Sequence, residues 1–155
     1  MNKVVALPAP EPRSIVARNL AWVYAGILVV LVVAQLFAFE KFIPLMSDYW
    51  LPGGRGSATL LAGLLVYAEI FALPFLLRMQ LSPLMRWFST VCSVFVPLTW
   101  LILAINCLLR HDSLANGGML GAKVAVSTEL QFALAAILTV LALYIAYGLQ
   151  PKHKK

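Results

Sequence analysis

The sequence predicts an all-α, polytopic membrane protein: a bundle of four transmembrane helices. Three observations carry that expectation. Four apolar runs are each about 20 residues long, the length a helix needs to cross the hydrocarbon core. The composition is 62% hydrophobic and 12% charged with a mean hydropathy of +0.89, against a charged share of about 25% in soluble domains. The cations lie between and beside the apolar runs. At 155 residues the chain has room for one compact bundle and no separate extramembrane domain. The net charge of +6 would suit a nucleic-acid partner, but scattered cations flanking apolar runs are the pattern of topology signals and anionic headgroup contacts, so no nucleic-acid partner is expected.

Residues 1–19 read as a mobile cytoplasmic tail, because Pro8, Pro10 and Pro12 interrupt any helix. The first span is expected over 20–39. It is too long for the apolar region of a signal peptide, and no A-x-A site follows it. A loop rich in Pro, Gly and aromatics follows, with Tyr49 and Trp50 expected at headgroup depth. The second span, 58–77, carries Ala58, Ala62 and Gly63, small residues that admit a close neighbouring helix. Pro74 deprives the Ile70 carbonyl of its donor and predicts a bend near Glu69. The third span covers 87–109 with Pro97 inside it. A turn-rich connection containing Gly117 and Gly118 leads to the fourth span, 128–149, and residues 150–155 form a basic tail.

Four spans put both termini on one side. Lys3, Arg13, Arg18, Arg78, Arg86, Lys152, Lys154 and Lys155 lie on that side, against Lys41, Arg55, Arg110 and Lys123 on the other. The positive-inside rule makes the terminal side cytoplasmic. The far side is near neutral, its cations matched by Glu40, Asp48, Asp112 and Glu129.

Glu69 is the most informative residue. A charge at the bilayer centre costs about 2.5–3.5 kcal/mol on insertion scales, so such residues usually face a bundle interior or aqueous cavity, find a partner and have a function. At about 1.5 Å per residue, Gln35, Glu40, Asn106, Glu129 and Gln131 fall toward the outer ends of their spans, with Glu69 deeper. This asymmetry predicts a small polar pocket opening outward with Glu69 at its floor. The simpler reading of Gln35, Asn106 and Gln131 is interhelical hydrogen bonding, worth about 0.6 kcal/mol each. Thr99, the Trp100 indole, Tyr67 and Thr139 are candidate donors to Glu69, and Arg78 is too far toward the cytoplasm.

Other chemistry is poorly served. Cys92 and Cys107 are fifteen residues apart on one expected helix, about 22 Å along its axis and beyond disulfide reach; with no C-x-x-C, both read as small buried residues. His111 and His153 lie on opposite sides of the membrane, so no histidine pair ligates haem or a metal. His111, Asp112 and Ser113 are adjacent in sequence and do not converge as a triad. No phosphate-binding glycine loop is present, and Trp87, Trp100, Tyr144 and Tyr147 read as interface anchors and packing. No catalytic residue is expected.

The order of features over about 20–109 resembles the DoxX and MauE-like superfamily of small four-helix membrane proteins. The resemblance rests on QLFAFEKFIPLM with Lys41 after the first span, AEIFALPFLLR with Glu69 and Arg78 in the second, and the basic turn MQLSPLMR. It departs where the family commonly has a glycine-rich stretch between acid and arginine; here stand Ala72, Leu73 and Pro74. The resemblance implies a membrane partner of redox chemistry in the inner (plasma) membrane, with a quinone as the cofactor it admits. The residues alone leave three classes open: a small subunit or scaffold of a larger membrane complex, a transporter or proton conductor using Glu69, and a quinone-binding enzyme subunit. A transporter of this size would need an oligomer and usually shows matching broken helices in two halves, which Pro74 and Pro97 do not supply. An enzyme would need a redox centre, which the chain does not encode. A scaffold needs a membrane protein partner or a second copy of itself.

The cation asymmetry predicts that a phosphatase fused at Lys155 is inactive and a fluorescent protein there is active, with the reverse at Gly117. A C-terminal fusion active only as a phosphatase would invert the topology.

Overall fold

The computed structural model describes residues 5–37, 39–49, 52–110, 114 and 116–150. Among them the regular structure is entirely helical: α1 (Ile15–Leu36), α2 (Phe39–Ser47), α3 (Gly54–Leu76), α4 (Pro83–Leu109) and α5 (Thr128–Gly148). All but α2 are long and apolar enough to cross a membrane, so the chain is a four-span helical bundle.

Local chemistry sets the boundaries. Ser14, Ser82 and Ser127 each cap a helix by accepting the amide three residues on, from Ala17, Met85 and Leu130, the usual way to satisfy an exposed first-turn donor. These caps start α1 and α4 earlier than hydropathy alone predicts, because polar first turns such as Arg18–Asn19 still have helical geometry. Gly53, at φ +97°, precedes α3, which starts at Gly54 and not at Ala58.

The spans close a ring in which α1 packs on α3 and α5, and α4 fills the opposite side against the same two helices. Small residues set the closest approaches. Ala17, Ala21 and Ala25 form a buried stripe on α1, and a Cβ on Gly148 would overlap the Ala17 Cβ. Ala58 and Ala62 are fully buried on α3, but Gly63 is not at a tight crossing: a Cβ there meets nothing within 4 Å. Beside Pro74, the Phe75 amide donates to Ser89 Oγ, and that hydroxyl donates to the Phe71 carbonyl. The hydroxyl of α4 thus sits between two groups that an uninterrupted helix pairs directly, one of the known causes of a helix bend.

Two segments differ from the expectation. The stretch after the first span is not all loop. Phe39, Phe42, Ile43 and Met46 recur at helical spacing, and α2 turns Phe42 and Met46 into the core with Glu40, Lys41 and Pro44 outward. Residues 5–14 are not a mobile tail but a strap across the terminal end of the bundle. Leu7 and Leu81 exchange both backbone hydrogen bonds, at 3.1 and 3.2 Å, and the Arg13 amide donates to the Gly148 carbonyl at 2.8 Å. Prolines that forbid a helix leave carbonyls without helical donors. Arg78 donates to Pro10 O, and Arg86 to Leu7 O and Pro8 O. The Arg13 guanidinium lies 4.8 Å from the centre of the Tyr147 ring, a cation–π distance.

Gly148→Leu should therefore overpack the α1–α5 crossing, lowering stability by about 1–3 kcal/mol, while Gly63→Leu should be tolerated. Thermal melts in detergent compare the two, and equal melting temperatures would contradict this placement.

Candidate functional site

The polar interior is built by side chains from different elements that meet beneath the α4–α5 connection. Gln35, in the last turn of α1, donates its amide to Glu69 Oε1 of α3 at 2.9 Å and lies 3.4 Å from the Met119 carbonyl. Both side chains are fully buried. One amide nitrogen therefore ties two spans and a loop together. Beside this group, the Tyr49 hydroxyl stands 2.6 Å from the Gly117 carbonyl and 2.9 Å from the Gln131 side-chain amide. A single hydroxyl hydrogen cannot serve two acceptors. With the Gln131 amide turned so that its NH2 faces Tyr49, the chain Gln131 N–H to Tyr49 O–H to Gly117 C=O satisfies each partner. Burial pushes the Tyr49 phenol above the usual tyrosine range, so it stays a hydrogen donor.

The loop reaches this depth through glycine. A Cβ on Gly117 would overlap the Gln131 side chain, and one on Gly121 would overlap the Ala34 carbonyl. Gly118, at φ +73°, packs against Met46 and Phe42, and the Phe42 ring lies 6.2 Å from that of Trp100. The turn over Gly117–Met119 is thus the hub on which α1, α2 and α5 converge, with α3 joined to it through Gln35. Among the described residues four buried side-chain atoms have no hydrogen-bond partner: Gln35 Oε1, Glu69 Oε2, Trp100 Nε1 and Gln131 Nε2. Turning the Gln131 amide leaves its oxygen in place of its nitrogen. Nearer the terminal end the Tyr24 hydroxyl donates to the Ser93 carbonyl at 2.7 Å and ties α1 to α4.

The sequence-selected residues divide sharply. Glu69, Gln35 and Gln131 are all fully buried in the interior. Glu40 and Lys41 are on the exposed face of α2. Asn106 is exposed and donates to the Ile102 carbonyl of its own helix at 3.2 Å, so it ties no helices together. Arg78 holds the strap at the other end. Among the expected donors, Thr99 and Thr139 bond carbonyls one turn back, Tyr67 is 64% exposed, and the Trp100 indole makes no hydrogen bond. Tyr49 is not an interfacial anchor: it is buried and its hydroxyl points inward, whereas Trp50 lies outside the described residues. The expected outward-opening pocket is closed by the loop, with no accessible surface left on Glu69 or Gln35.

Cys92 and Cys107 are both buried. No group of three metal-ligating side chains occurs among the described residues; His111, Asp112, Ser113 and His153 lie outside them. A quinone head does not fit this interior, because the polar groups that would face its carbonyls are sealed from the surface. No family model, curated protein or solved structure matches the chain.

Removing a buried partner strands the other group at a cost of about 1–3 kcal/mol. Gln35→Leu should lower stability by that order and Asn106→Leu should leave it nearly unchanged. A double-mutant cycle between Gln35→Leu and Glu69→Leu, read by unfolding in detergent, should give a clear coupling; strict additivity would contradict the pairing.

Proposed function

We propose that this chain is a DoxX-like accessory or scaffold subunit of a larger membrane complex in the inner (plasma) membrane, with both termini cytoplasmic. The observation that carries the reading is the sealed tie between Gln35, Glu69 and the Met119 carbonyl. An acid in that arrangement fastens α1, α3 and the outer loop, and so fixes the shape of the outer surface. A scaffold needs such a surface, together with apolar flanks for a membrane protein partner or a second copy of the chain. Val30, Val33, Leu60, Ile137 and Val140, all more than half exposed, are flanks of that kind. The link to redox or quinone chemistry rests on the resemblance and would reside in the partner.

A second reading has an observation of its own. The unpartnered buried atoms around the Gly117–Met119 turn are the groups a few internal waters would satisfy. A hydrated interior at Glu69 would suit a proton conductor.

One pair of variants separates the two. Glu69→Gln keeps the shape and an acceptor for Gln35 but cannot titrate, whereas Glu69→Leu removes the tie. The scaffold reading expects that proteins co-purifying with the wild type in mild detergent stay with Glu69→Gln and are lost with Glu69→Leu. It also expects vesicles containing the protein to show no Glu69-dependent proton flux with a trapped pH dye. Flux in the wild type that vanishes in a folded Glu69→Gln protein would overturn it in favour of conduction.

A further inference from the structure

The terminal end of the bundle holds two arginines whose charge no carboxylate among the described residues neutralises. Arg78 follows α3 in a left-handed backbone conformation, φ 56°, and Arg86 lies in the first turn of α4. Both are half-buried and line one small cavity with Ala9, Pro10, Phe75, Met79, Leu81 and Leu149. Neither forms an ion pair with a carboxylate among the described residues; Glu11, the acid of the strap, is exposed. A guanidinium has five N–H donors. Arg78 uses one nitrogen, Nη2, for Pro10 O, and Arg86 uses Nη2 for Leu7 O and Pro8 O. The other nitrogens of both side chains make no hydrogen bond to the described residues.

Two like charges held side by side by neutral carbonyls repel, and the strap alone does not require them to be adjacent. An anion between them removes the repulsion and takes up the spare donors. Planar guanidinium groups suit a phosphate, which they grip through paired N–H bonds. The walls point to an amphiphile: Phe75, Met79, Leu81 and Leu149 give the cavity an apolar side at the end of two membrane-spanning helices, where lipid headgroups and the first acyl carbons lie. We propose that Arg78 and Arg86, under the N-terminal strap, form a binding site for the phosphate of an anionic membrane lipid. The site rests on the membrane placement of the bundle and not on its having a protein partner. By neutralising the arginine pair, the lipid secures the strap at the cytoplasmic surface.

Native mass spectrometry of the full chain in detergent tests this with phosphatidylglycerol, phosphatidylcholine and inorganic phosphate as probes. The wild type should retain phosphatidylglycerol at least several-fold better than phosphatidylcholine. Arg86→Gln should lose that preference, and Arg55→Gln, at the opposite end, should keep it. If Arg86→Gln does not fold, Arg78→Gln, which gives up a single strap carbonyl, supplies the same comparison. Equal retention of the two lipids, or an unchanged preference in the arginine variants, overturns the proposal. Displacement of the lipid by millimolar inorganic phosphate would also overturn it, since the site would then be one for a free anion. Lipid retention is read on the isolated protein, so it is independent of whether the scaffold reading holds.

Discussion

A carboxyl group inside a low-dielectric bundle must find hydrogen-bond partners, because leaving it bare costs more than neighbouring apolar contacts return. Glu69 sets that constraint here, and Gln35 meets it from the last turn of a different span. The remaining architecture follows. The Gln35 amide carries two hydrogens, and its second acceptor is a loop carbonyl, Met119. Bringing a main-chain carbonyl to that depth needs a connection that folds inward, which the glycines at 117, 118 and 121 permit. The inward loop in turn needs Tyr49 and Gln131 to satisfy Gly117. An acid on α3 is thus linked to the conformation of a loop between α4 and α5.

Helix direction explains how residues at unlike depths meet. In any α-helix the side chains lean toward the N-terminus. With α1 starting and α3 ending near the strap, Gln35 leans back toward the terminal end and Glu69 leans away from it. Counting residues along each axis placed Gln35 near one surface and Glu69 well below it. The lean of the two side chains closes the gap, and a depth estimate taken from Cα positions alone misses the pair.

The four spans and the apolar class were legible because length and hydropathy decide them, and the burial of Glu69 because lipid excludes a bare acid. Other features were hidden for definite reasons. α2 is only nine residues long and contains Pro44, so its periodicity competes with a strong loop signal. The strap looked mobile because prolines exclude helix, yet the carbonyls they free are what Arg78 and Arg86 bind. Tyr49 carried the composition of an interfacial anchor, and only its packing against the Gly117 turn shows its hydroxyl to be internal. Asn106 had the chemistry of a helix tie but the wrong face of α4. Charge and spacing give depth, whereas facing depends on which helices are neighbours, and that is a tertiary property.

Through Gln35, the Glu69 side chain holds the α4–α5 connection in place. Hydrogen–deuterium exchange over residues 116–127, in wild type and in Glu69→Leu under conditions where both remain folded, measures this most directly. The loop has internal hydrogen bonds of its own, from the Gly117 amide to Val126 O and from the Gly121 amide to Gly118 O, so its amides report its order. The account predicts slow exchange at these amides in the wild type and fast exchange in Glu69→Leu, with the α4 and α5 amides still protected. Equal protection of the loop in both proteins would contradict it.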